Sequence, residues 1–214
     1  APGIKAVIIY PMNALASDQA LRIEGMLKKL SSIRKLSAGI YTGDSPDLTQ
    51  NDTGPLIRGR IHILENPPDI LITNYKMLDF LLMRPEEQKL WKGCSGASLR
   101  YLVVDELHTF DGAQGTDLAC LIRRLKARLN LGDDLVCVGT SATLGGSDHR
   151  RELIEYAQEI FDADFDENSV IEEQRLSADD YLASLGDHHP LGHWPSKNDV
   201  DKVSRYVKLQ PYLK

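Results

Sequence analysis

Residues Leu99-Arg-Tyr-Leu-Val-Val-Asp-Glu-Leu-His-Thr109 run from an apolar, β-branched segment, Tyr101 to Val104, straight into two adjacent carboxylates, Asp105 and Glu106, and then His108. Four or five such apolar residues match a strand buried on both faces, as in a parallel sheet flanked by helices. Charge cannot continue that burial, so the carboxylates fall at the carboxyl end of the strand. In open α/β sheets that is the edge where ligands bind. One carboxylate there can hold a hydrated Mg²⁺ while its neighbour orients a water, the division of labour that nucleotide hydrolysis needs. An isolated Asp-Glu pair is more often a solvated acidic turn, so the rest of the chain has to decide.

Upstream, Ile4 to Tyr10 reads as a buried strand stopped by Pro11. A helix follows with Leu15, Leu21, Met26, Leu27 and Leu30 as its apolar positions and Asn13 or Ser17 as its cap. Such a turn feeding a helix presents free backbone N–H groups and a positive dipole, which suits a phosphate. Leu36 to Tyr41 is a second strand, closed by the turn Thr42-Gly43-Asp44-Ser-Pro46. Thr49 to Ile63 is polar and basic and reads as a loop or short helix. Asp69 to Asn74 is a third strand, followed by a helix through Met77, Leu78, Leu81, Leu82 and Met83, then a connector from Lys89 to Ser98. Beyond the Asp105 strand, Phe110 to Gly115 reads as a flexible loop. Thr116 then caps a helix with Leu118, Leu121, Ile122, Leu125 and Leu129 inside and Arg123, Arg124, Lys126 and Arg128 outside. Leu135 to Gly139 is the next strand, ending in Thr140-Ser141-Ala142-Thr143, and a helix spans His149 to Phe161.

Strands alternate with helices, and successive strand ends carry Asn13, Thr42, Thr73, Asn74, Asp105, Glu106, His108, Ser141 and Thr143. The pattern predicts an α/β fold, a doubly wound parallel sheet with one functional rim. Any one of these residues could be a turn or cap residue. Five strand ends all finished this way are much harder to explain as packing.

Composition narrows the classes. The 214 residues have a formal net charge of -6, so the surface as a whole is not a basic magnet for nucleic acid, although local basic stripes remain open. Cys94, Cys120 and Cys137 are odd in number and far apart, which predicts reduced thiols in a cytoplasmic protein. No apolar run approaches a membrane span, and nothing resembles a signal peptide. The chain opens Ala1-Pro2-Gly3 without an initiating Met, the expectation being a piece of something larger.

The ordered set Tyr10-Pro-Met-Asn-Ala-Leu, Tyr41-Thr-Gly-Asp44, Ile72-Thr-Asn-Tyr75, Asp105-Glu-Leu-His108 and Ser141-Ala-Thr143 resembles motifs Ia, Ib, Ic, II and III of the DExH-box superfamily 2 helicases. The wording Asp-Glu-Leu-His-Thr-Phe is most similar to the bacterial large helicase-related group. The resemblance covers about residues 4 to 165. It implies a RecA-like P-loop NTPase domain in which Asp105 binds Mg²⁺ on the ATP phosphates, Glu106 positions the attacking water, and His108 couples to Ser141 and Thr143. It implies further that Pro11, Asn13, Ala14, Thr42, Gly43, Thr73 and Asn74 contact the backbone of one nucleic-acid strand, DNA being favoured over RNA. Such contacts position a strand without reading its sequence.

The sequence departs from that family in one respect. Its phosphate-binding loop belongs before the Ile4 strand, yet no Gly-x-x-x-x-Gly-Lys occurs in these residues. The first strand and its loop are therefore expected to be missing, ATP turnover by this fragment alone is expected to fail, and the sheet is expected to show an open edge that invites pairing. Residues 1–165 then form a partial motor domain, and 166–214 an extension or linker towards a missing second RecA-like domain. Within that tail Val170-Ile171 reads as a possible short strand, and His188, His189 and His193 as an ordinary polar loop rather than a metal site. A catalytically silent module that binds nucleic acid or a partner is the alternative reading. A dinucleotide-binding enzyme is disfavoured because no Gly-x-Gly-x-x-Gly follows a strand.

Overall fold

The computed structural model describes residues 3–30, 35–47, 54–94, 98–132, 134–141 and 150–171. Among the described residues six strands form one sheet: β1 (Ala6–Tyr10), β2 (Ala38–Tyr41), β3 (Leu56–Ile57), β4 (Ile70–Asn74), β5 (Tyr101–Val104) and β6 (Val136–Gly139). Their spatial order is β3-β2-β4-β1-β5-β6, and every pairing is parallel. All the strands therefore end on the same edge. The doubly wound topology predicted from the alternation is the one observed.

The helices are α1 (Asn13–Leu30), α2 (Arg60–Glu65), α3 (Tyr75–Met83), α4 (Gly112–Leu129) and α5 (Arg150–Phe161). One face of the sheet carries the main core, in which Val7, Ile9, Leu71, Leu102 and Val104 pack against Leu78 and Leu81 of α3, Leu118, Ile122 and Leu125 of α4, and Ile160 and Phe161 of α5. The opposite face packs Tyr10, Ile40 and Ile72 under α1. Among the described residues no helix covers that second face over β5 and β6. Register explains what is left open: Ile8 pairs with Val103 and Tyr101 with Val136, so Tyr101, Val136 and Val138 lie 51%, 48% and 39% exposed. β6 also stands at the edge of the sheet.

Several local expectations need correction. The β5 strand is buried on one face only, because among the described residues no helix lies against its second face. α1 turns Ala16, Ala20 and Leu27 inward, with Ile23 half-buried between them, an i, i+4, i+7, i+11 stripe. Leu21, Met26 and Leu30 point to solvent. Small residues let the helix sit close on the sheet; of the expected leucines, Leu27 is buried and Leu15 half-buried, while Leu21 and Leu30 fall on the solvent side. Neither suggested cap precedes the helix, since Asn13 is its first residue and Ser17 lies inside it. The segment read as a loop or short helix holds both an edge strand, β3, and α2. α4 begins at Gly112 with Asp111 before it, so Thr116 is an interior residue whose hydroxyl donates back to the Gly112 carbonyl at 3.3 Å. Gly115 belongs in that helix because a Cβ there would meet the Phe110 carbonyl at 2.6 Å. Val170 and Ile171 form no strand, and Ile171 is 95% exposed. Residues 172–214, including His188, His189 and His193, lie outside the described residues. All three cysteines are free, and among the described residues no helix is long and apolar enough to cross a membrane.

Candidate functional site

Asp105 follows the last residue of β5, and its N–H donates to the Ile9 carbonyl at 2.9 Å, which extends the ladder one residue past the strand. The next residue leaves the sheet. Glu106 takes left-handed backbone angles, φ 52° and ψ 48°, a conformation that costs an L-residue with a Cβ about 1–2 kcal/mol. The surroundings hold it there. The Glu106 N–H donates to Thr140 Oγ1 at 3.2 Å, and the Leu107 N–H donates to the Thr140 carbonyl at 2.7 Å. Leu107, 2% exposed, anchors the turn in the core beside Gly139, where a Cβ would come within 2.7 Å of Leu107 Cδ2.

The side chains of this turn converge on the end of β6. Thr140 Oγ1 donates to Asp105 Oδ1, Ser141 Oγ lies 3.0 Å from His108 Nδ1, and Glu106 Oε2 lies 3.4 Å from the same ring nitrogen. The Tyr10 hydroxyl group neighbours this cluster. Burial, and then the Asp105 carboxylate, raise its pKa above the ordinary tyrosine value, which keeps it a neutral donor. Asp105, Glu106, His108 and Ser141 are thus brought together as the sequence predicted. Thr143 lies outside the described residues.

A second concavity opens on the same rim, across β1 from the carboxylates. Pro11, Asn13, Gly43 and Asn74 line a cleft of about 520 Å³ together with Tyr75, Lys76, Met77, Phe80 and Gln114. Asn74 holds it together. Its Oδ1 caps α3 by accepting from the Met77 N–H at 2.8 Å, and its Nδ2 donates to Asn13 Oδ1 at 2.6 Å, while Asn13 Nδ2 donates to Asp44 at 2.8 Å. The Thr42-Gly43 turn is fixed from behind by Arg60, whose guanidinium donates to both carbonyls at 3.0 and 2.8 Å.

The remaining predicted contact residues sit elsewhere. Thr73 is fully buried, with its hydroxyl donating to the Tyr41 carbonyl at 2.7 Å. Thr42 is buried beside Ser45 and lines a smaller hollow. Ala14 is exposed on the first turn of α1 and does not line the cleft. Sequence reading missed Thr140, Lys76, Phe80 and Gln114. The signal for Thr140 is the parallel register itself, because Val104 pairs with Gly139 and the residues that follow them are Asp105 and Thr140.

Among the described residues no group of three His, Cys, Asp or Glu side chains could cage a metal. One accessible carboxylate at a strand end instead suits Mg²⁺, which keeps most of its waters and takes its other ligands from phosphate.

A family profile described as DEAD/DEAH box helicase matches residues 1–151, a span that takes in every candidate rim residue. The chain belongs to that family. Relatives of this DEAD/DEAH box helicase domain include the Druantia protein DruE of Escherichia coli (strain UMEA 4076-1), 44% identical over 92 residues, which are 39% of this chain and 5% of DruE. The uncharacterized ATP-dependent helicase YprA of Bacillus subtilis (strain 168) is 33% identical over 141 residues, 65% of this chain and 17% of YprA. Among solved structures, the DUF1998 helicase MrfA bound to DNA and AMPPNP superposes with a TM-score of 0.54 at 25% identity, covering 75% of this chain and 20% of MrfA. The chain spans a fifth or less of the length of these three relatives.

Proposed function

We propose that this chain supplies the water-activating and strand-holding parts of the first motor domain of a cytoplasmic, ATP-dependent DNA helicase or translocase. The observation that carries the reading is the convergence of two groups on one rim: the Asp105-Glu106-His108 turn tied to Thr140 and Ser141, and the Asn13-Asn74 cleft one strand away. MrfA, whose fold is similar, was solved with DNA and a nucleotide analogue, which supports both ligands for this chain.

Each residue then has a task. Asp105 is placed to hold Mg²⁺ through its carboxylate, and that ion, when bound, neutralises charge on the ATP phosphates. Glu106 is projected from the rim by its left-handed backbone and orients the attacking water as acceptor of its proton. His108, held by Ser141, ties the position of Glu106 to the end of β6. In the cleft, Asn13, Asn74, Lys76 and the backbone of Gly43 present donors to a phosphodiester backbone, and Phe80 offers a ring against which a base can lie. Residues 1–165 belong to this motor domain and 166–214 lead towards a second RecA-like domain. Nothing in the 214 residues reads as a triphosphate-gripping loop, so this stretch alone has little ATP turnover.

Glu106→Gln in the full-length protein tests the reading, since it keeps the shape and removes the proton acceptor. Expected is a loss of DNA-stimulated ATPase of roughly a hundredfold or more, with single-strand affinity retained. An unchanged turnover rate would refute the motor assignment and leave a silent binding module.

A further inference from the structure

Motif reading leaves one hydroxyl of the rim without a task. Thr140 follows the last residue of β6, directly across from Asp105, and makes three bonds to the neighbouring turn. Its Oγ1 donates to Asp105 Oδ1, the same Oγ1 accepts from the Glu106 N–H at 3.2 Å, and its carbonyl accepts from the Leu107 N–H at 2.7 Å. A hydroxyl carries one donor and two lone pairs, so it can serve the carboxylate and the backbone amide at once. Valine, of the same shape, can serve neither.

We infer that Thr140 is the positioning residue that sets the relative aim of Asp105 and Glu106. Two independent features of the turn require such a brace. Glu106 holds left-handed angles that residues with a Cβ keep only when neighbours fix them. Asp105, half-buried at the strand end, has two oxygens, and a donor fixed on Oδ1 leaves Oδ2 to face a ligand. Ser141, the next residue, serves His108 instead, so the adjacent hydroxyls divide the work: Thr140 orients the carboxylates and Ser141 the imidazole. The Thr140 hydroxyl reaches the chemistry only through these two partners.

The inference rests on Asp105 and Glu106 acting as the metal and water residues, so Glu106→Gln is measured in parallel with Thr140→Val, Thr140→Ser and Thr140→Ala, all in the full-length protein. Thr140→Val and Thr140→Ala are expected to lower kcat for DNA-stimulated ATP hydrolysis roughly ten- to hundredfold, as loss of a group supporting metal ligands typically does. Single-strand affinity stays within about threefold in both, because nothing Thr140 touches lies in the cleft. Mn²⁺ titration followed by paramagnetic resonance, with a non-hydrolysable nucleotide present, is expected to show weaker metal binding by a similar factor. Thr140→Ser restores kcat and Mn²⁺ affinity. If Thr140→Val and Thr140→Ala turn over at the parental rate while Glu106→Gln does not, this inference falls and the motor reading stands. If Glu106→Gln is also silent, both fall. A serine variant as impaired as the valine one, or a loss of DNA binding equal to the loss of turnover, would likewise overturn it by assigning Thr140 to packing.

Discussion

Asn74 performs two tasks with the two ends of one amide, and substitution can separate them. Its Oδ1 caps α3 through the Met77 N–H, and its Nδ2 reaches Asn13 in the cleft. Asn74→Ala removes both. Loss of an N-cap costs about 1 kcal/mol, and the half-exposed bond to Asn13 adds about 0.5 kcal/mol. For a domain of this size each kcal/mol shifts Tm by about 2–4 °C, so Asn74→Ala should melt about 3–6 °C lower. Asn74→Asp keeps a cap, and its charge at the helix N-terminus adds about 0.3–1 kcal/mol of stability. That offsets the lost bond to Asn13, and its Tm should match the parent within about 2 °C. The same carboxylate faces the cleft, where a unit charge about 5 Å from a phosphate is repelled by about 3 kcal/mol at an effective dielectric of 20 before salt screening. Single-stranded DNA affinity, measured by fluorescence anisotropy on the full-length protein, should therefore fall roughly ten- to hundredfold for Asn74→Asp, and only about threefold for Asn74→Ala. A stable Asn74→Asp variant that binds DNA as well as the parent would remove the cleft from the strand path, whatever happened to the alanine variant.

Two further outcomes follow from the same structure. Burial alone would raise the Asp69 pKa, but hydrogen bonds from the Lys5 ammonium and from the Ser37 N–H and hydroxyl outweigh it, so the folded value lies below the ordinary one. The stabilisation is thus complete above the unfolded pKa of about 3.9 and is lost as pH falls through the lower folded value. Asp69→Asn should lower Tm by a constant amount between about pH 7 and 5, and the gap should narrow as pH falls below about 3.9; a gap that stays constant through further acidification would show the carboxylate charge to be irrelevant. Gly139→Ala forces a Cβ against Leu107 at 2.7 Å and Phe161 at 3.4 Å. It should cost about 1–3 kcal/mol in thermal melts and slow ATP turnover more than it weakens DNA binding, because Leu107 anchors the Glu106 turn. Equal effects on both activities would place Gly139 outside the coupling path.

The sheet was legible in the sequence because its signals are local. The β-branched runs at Ile4, Asp69 and Tyr101 each mark a strand, the first stopped by Pro11 and the other two by Asn74 and Asp105. What sequence reading missed came from contacts between distant segments. α1 rotates to bring Ala16 and Ala20 onto the sheet because close approach favours small residues, and leucine counting along the chain cannot see that. Gly115 looks like a loop residue until the Phe110 carbonyl takes the space a Cβ would need, and Gly112 opens the helix at a φ of 53°. At the site, Asp105, Glu106, His108 and Ser141 stand out by residue type and order. Thr140 does not, since its importance depends on which residue lies opposite it in a register that only pairing defines. Thr42 and Thr73 show the converse: hydroxyls at strand ends that the fold turns inward.

β1 is hydrogen-bonded to β4 on one side and to β5 on the other. The end of β4 carries the Asn74 cleft and the end of β5 carries Asp105, so the two halves of the rim are held two strand spacings apart, roughly 10 Å. A close-packed parallel sheet behaves as a ruler and not as a spring. If the proposed motor reading holds, the stroke that advances a DNA strand is not generated by widening that gap. On that reading this domain acts as a fixed jaw, and the travel would come from a second body closing against it.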